Sequence, residues 1–145
     1  MAEDEHRPRI LVSNRQRAPI DEGALVTAAI ECLRGEGVGG CELSVSLVTD
    51  QEMADLHLRY AGEEGPTDVL SFPMDEVDEE GVRLLGDVVL APAVAAANNP
   101  ADPSAELRLL LVHGILHLLG YDHEGERERA EMWARQERYT GVRVP

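Results

Sequence analysis

The stretch from Ser104 to His123 constrains this chain more than any other. Its centre, Leu107-Arg108-Leu109-Leu110-Leu111-Val112, is too apolar for a surface helix and predicts a helix inside the core. His113 and His117 follow, four residues apart, so on that helix they lie one turn apart on one face. Gly120 can take the left-handed conformation that ends a helix, and the chain then turns through Tyr121 and Asp122 to His123. Three imidazoles converging with one position left open is the plan of a catalytic zinc site. A structural zinc site would want a fourth protein ligand, often Cys.

The same His and Gly spacing occurs in the metzincin proteases, His-Glu-x-x-His-x-x-Gly-x-x-His, where the Glu is the general base. Gly114 stands in the place of that Glu. The pattern therefore points to a metal and away from peptide hydrolysis. Two core histidines and a surface one would be the plainer reading. Pairs four apart arise by chance, but a third His beyond a helix-ending Gly is much rarer. Imidazole suits nickel and copper as well as zinc, so spacing specifies a zinc-like ion, one per chain.

With 145 residues, 43% of them hydrophobic, the chain is long enough for one domain with a real core. The formal net charge is −15, and all 13 basic residues are Arg. That balance opposes broad affinity for nucleic acid and leaves room only for a local Arg-lined groove. Cys32 and Cys41 form no CxxC pair and read as reduced, partly buried thiols. The charged N-terminus has no apolar run of a secretory signal, and no segment reaches membrane-span length. A soluble, cytoplasmic protein is expected.

Residues 1–8, with His6, read as a tail, and 9–145 as a single domain. Strands are predicted at 9–13, 42–49, 67–72 and 83–90. Pro73 makes the third an edge strand or ends it, and 75–81 reads as an acidic solvated loop. Helices are predicted at 21–34, at 50–60 with Asp50 as N-cap, from Pro92 to about Asn98, at 104–119 and at 126–139. In the last, Ala130, Met132 or Trp133, and Gln136 or Glu137 are expected to face inward. The order β-α-β-α-β-β-α-α-α suggests an α+β domain, a mixed sheet of about four strands covered by about five helices.

The run HGILHLLGYDH resembles the hallmark of the YbeY family of bacterial single-strand-specific endoribonucleases. Pro66-Thr67-Asp68-Val69-Leu70-Ser71-Phe72-Pro73 is similar to its second signature, and Gly86-Asp87-Val88-Val89 to a third, weaker one. Met132 and Glu137 match the family's Met and Glu in the last helix. The resemblance spans about residues 40–140. It implies a zinc-dependent RNA hydrolase with His113, His117 and His123 as ligands and Thr67–Pro73 lining the cleft beside the metal. It also implies single-stranded rRNA precursor as substrate, the small ribosomal subunit or its proteins as partner, and roles in 16S rRNA maturation, 30S assembly and rRNA quality control.

The chain departs from the family in one block. Where the family reads Leu-Asn-x-x-Tyr-Arg-Gly, this chain has Leu56-His57-Leu58-Arg59-Tyr60-Ala61-Gly62. The usual Arg, a candidate cation for phosphate, is Ala61. Arg59 is a candidate substitute, yet two helical residues rotate a side chain by about 200°, so it can serve only if the helix has ended or shifted. His57 is a candidate ligand or phosphate contact. Asp122 is a candidate carboxylate at the site, and Glu124 flanks the third His likewise; neither is assigned as general base. Two rival functions stay open: a metal-bearing ribosome-assembly factor that cuts nothing, and a zinc hydrolase of another ester or phosphodiester.

Overall fold

A computed structural model describes residues 7–65, 67–122 and 124–141. Residues 1–6 of the expected tail, Pro66, His123 and 142–145 lie outside the described residues. The elements run β1 (Arg9–Asn14), α1 (Glu22–Gly35), β2 (Cys41–Leu47), α2 (Asp50–Ala61), β3 (Val69–Val77), β4 (Arg83–Leu90), α3 (Pro92–Asn98), α4 (Pro103–Leu118) and α5 (Glu126–Thr140). The sheet order is β1-β2-β4-β3, with β1, β2 and β4 parallel and β3 antiparallel at the edge. The expected α+β architecture is borne out.

Period-2 alternation explains β2: Cys41, Leu43, Val45 and Leu47 are buried and the residues between them half-buried. β4 sits between β2 and β3 and is apolar on both faces. Val88 and Leu90 join the main core with α1, α4 and Met132, while Val89 packs on the other face with Val48 and Met53. α4 lies in the main core, with Leu107, Leu110, Leu111, Val112, Ile115 and Leu116 buried.

Several local expectations are corrected. Thr49, not Asp50, caps α2: its backbone is extended and its Oγ1 accepts from Glu52 N–H at 3.1 Å. Asp50 is already helical, where its charge still suits the helix N-terminus. β3 begins at Val69 and runs through Pro73 to Val77. An edge strand tolerates a missing N–H, and the pairing shifts register between Pro73 and Glu76. The acidic loop thereby shortens to a turn in which Asp78 Oδ1 accepts from Glu80 and Val82 N–H, both at 2.9 Å. In α5, Ala130 is exposed, and Met132 and Gln136 face inward. Cys32 and Cys41 are fully buried free thiols. Burial first, then the Glu36 charge, pushes the Cys32 thiol up to about 12, which leaves it unreactive.

Candidate metal centre

Buried α4 brings His113 and His117 to one face, their ring centroids 4.9 Å apart at 76°. Both are half-buried. They line a cleft of about 450 Å³ whose other wall is the start of β3, with Thr67, Asp68, Ser71 and Pro73. Ser71 Oγ donates to Gly114 O at 3.3 Å, tying β3 to the helix turn that holds the two histidines. The expected placement of the pair beside the 67–73 block is what the structure shows.

Gly114 has a packing reason. A Cβ there would stand 2.8 Å from Val88 Cγ1 and 3.1 Å from Ser71 Oγ. The position that holds the metzincin Glu faces the sheet in this chain, with no room for a side chain. Gly114→Ala is expected to lower Tm by several degrees. Overpacking costs about 1–3 kcal/mol, against about 1 kcal/mol gained in helix propensity. Thermal unfolding checks this; an unchanged or raised Tm would show that α4 can move off β4 freely.

Beyond Leu118 the helix closes as a Schellman turn. Tyr121 N–H bonds Leu116 O and Gly120 N–H bonds His117 O, both at 3.0 Å, with Gly120 at φ 104°. The turn expected at Gly120 is present. His123 itself lies outside the described residues.

Gln136 was visible in the sequence only as a candidate for the buried face. It is 2% exposed, and its Oε1 accepts from His113 Nδ1–H at 2.6 Å. An amide oxygen only accepts, so the proton is fixed on Nδ1 and Nε2 keeps its lone pair. Trp133 stands edge-on to the same ring, 6.0 Å between centroids. This is the arrangement that orients a metal-ligating imidazole. His113 and His117 thus offer two imidazoles of the kind that hold a zinc-type ion; among the described residues no group of three or more His, Cys, Asp and Glu converges, and the expected third ligand, His123, lies outside them.

Among the described lining residues the carboxylate is Asp68, part of the 67–73 block that the family resemblance set beside the metal but to which no role was given. Asn98 Nδ2 donates to its Oδ2 at 3.3 Å. Burial first, then the Asp68 charge, raises the Glu106 carboxyl above its ordinary value. Asp122 is exposed and not among the described lining residues.

Arg59 is exposed on α2, which stays helical through Ala61. Its side chain therefore points about 200° away from the direction of residue 61. No Arg is among the described residues lining the cleft. His57 has a different job from ligation: its Nδ1 meets Gly65 O at 2.9 Å and its Nε2 meets Glu63 Oε2 at 3.0 Å. It ties the end of α2 to the loop that leads into Thr67.

Comparison with known proteins agrees with this geometry. The family model described as Endoribonuclease YbeY matches residues 12–141. A curated relative from Frankia alni, named Endoribonuclease YbeY, is 48% identical, over 86% of this chain and 76% of that protein. One of the same name from Mycobacterium tuberculosis is 43% identical, over 89% and 80%. A solution structure of a Thermotoga maritima protein superposes with TM-score 0.60 at 29% identity, covering 90% of this chain and 86% of that one. With a family model spanning nearly the whole described chain, and relatives this similar along most of it, the chain belongs to the YbeY endoribonuclease family.

Proposed function

We propose that this chain is a zinc-dependent endoribonuclease that cuts single-stranded RNA, with zinc held by His113, His117 and His123. The observation that carries the reading is the His113–Gln136 bond, which aims one imidazole into a cleft shared with His117. Family membership supplies RNA as the substrate class. Zinc bound there would lower the pKa of water or of a ribose 2′-hydroxyl and polarise a phosphoryl oxygen.

The chain's own residues do the rest. Gln136 holds the His113 tautomer and ring. Ser71 fixes the width of the cleft by anchoring β3 on α4. The biological substrate in this reading is 16S rRNA precursor, cut in the cytoplasm during 30S assembly and rRNA quality control with the small subunit as partner. No helix among the described residues is long and apolar enough to cross a membrane.

A second reading, a ribosome-assembly factor that binds without cutting, draws on the Asp68 carboxylate on the cleft wall and on the Ala61 departure. One assay separates the two. Purified protein should cleave a single-stranded RNA oligonucleotide and spare a duplex, and a chelator or His113→Ala should abolish cleavage. Binding without any metal-dependent cleavage would establish the non-cutting factor instead.

A further inference from the structure

Outside the cleft, Glu36, the residue that caps α1, carries a densely bonded carboxylate. Its side chain is only 4% exposed. Three donors from two other parts of the chain converge on it. Tyr121 hydroxyl donates to Oε1 at 2.6 Å, Arg135 Nη1 to Oε2 at 2.7 Å, and Tyr139 hydroxyl to Oε2 as well. Arg135 also lies over the Tyr121 ring, 4.8 Å from its centroid. Burial alone would raise this carboxyl. The hydrogen bonds from Tyr121, Tyr139 and Arg135, with the Arg135 charge, outweigh it and hold the carboxyl below its ordinary value. Glu36 is thus an anion at neutral pH, and a buried anion commits its donors firmly.

What this cluster grips is the turn that ends α4. Tyr121 is 85 residues from Glu36 in sequence, so the bond is a long-range tether. Tyr121 N–H closes the helix on Leu116 O, and the adjoining Gly120 N–H bonds the carbonyl of His117. Two peptide links separate Tyr121 from His123, a reach of about 7 Å. α5, which supplies Arg135 and Tyr139, also supplies Gln136 to His113.

We propose that Glu36 is a positioning residue for the metal centre, acting through Tyr121 to set the turn that joins His117 to His123. The proposal rests on the three-histidine reading of the site. Without the tether the Tyr121 hydroxyl is released, the turn gains freedom, and part of the binding free energy goes into ordering it. Residues that orient metal ligands from outside the coordination set commonly alter affinity 10–100-fold.

The test is zinc affinity, measured by competition with a chromophoric chelator on the full chain. Tyr121→Phe removes only the donor hydroxyl, and Glu36→Gln keeps size but removes the charge. Both are expected to weaken zinc about 10–100-fold and to change the visible absorption of the cobalt(II)-substituted protein. Val12→Ala, on β1 at the sheet edge opposite β3, controls for loss of stability and should stay within about twofold of wild type. If Tyr121→Phe fails to fold, Glu36→Gln carries the comparison. Unchanged affinity and spectrum in the folded variants overturn the proposal while leaving the zinc site standing. Equal weakening in Val12→Ala overturns it too, by assigning the effect to general stability. A wild-type chain that binds no zinc overturns the three-histidine reading and this proposal together.

Discussion

Protein purified without chelator is expected to carry close to one zinc per chain, and His117→Ala to lose most of it. His117 lies in the last turn of α4, where its ring meets that of His113 across 4.9 Å. Removing either ring would leave two of three proposed ligands, too few for the tetrahedral set with one open position. Elemental analysis reads the loss directly. Chelation should also lower the wild-type Tm. An ion present at 100 times its Kd adds about 2.7 kcal/mol, which for a chain of this size is roughly 5–10 °C. The His117→Ala protein should show little further loss on chelation. Full zinc retention in that variant would remove His117 from the site and with it the present reading of the cleft.

The parts of this fold that were legible in the sequence are those where one periodicity acts alone. β2 alternates strictly, the centre of α4 is nearly continuously apolar, and Gly120 marks its end; all three stand where their patterns put them. Boundaries failed where a neighbour decides. Pro73 reads as marking either an edge strand or a strand end; β3 is the edge strand, needs ladder bonds on one side only, and so runs past Pro73 to Val77, beyond the expected 72. Ala130 looks like a buried small residue, but the contact face of α5 runs through Met132 and Gln136.

The candidate site divides the same way. Helical spacing alone places His113 beside His117. The partner of His113, by contrast, comes from 23 residues later in another helix. Gln136 carried only the faint signal of a polar residue at an inward position. Asp68 lay in a block expected on the cleft wall, but nothing in the pattern singled out its carboxylate. Glu36 gave no signal at all, since its three donors meet only when α1, the α4 turn and α5 are packed together.

Ala61→Arg is expected to raise RNA cleavage, or tighten RNA binding, by about tenfold or more. The family's usual Arg falls at the last residue of α2, just before the 62–65 loop that His57 fastens by its bond to Gly65 O. That loop leads into Thr67 and Asp68 on the cleft wall. Asp68 repels a phosphodiester, and the net charge of −15 does the same over a longer range. A cation restored at the end of α2, one loop before the residues of the cleft wall, therefore acts against an unfavourable background. One charge-assisted contact is worth roughly 1.5–3 kcal/mol, which is the tenfold or more expected here. Arg59 gives the competing prediction. If it already meets the phosphate, Ala61→Arg should do little and Arg59→Ala should be damaging. The regular helix through Ala61 turns Arg59 about 200° away, and so favours the gain at residue 61 over the loss at residue 59. Kinetics of both variants on one single-stranded oligonucleotide, at fixed salt, decide between them. If neither substitution changes cleavage or binding, no cation from this segment matters, and the non-cutting reading gains ground.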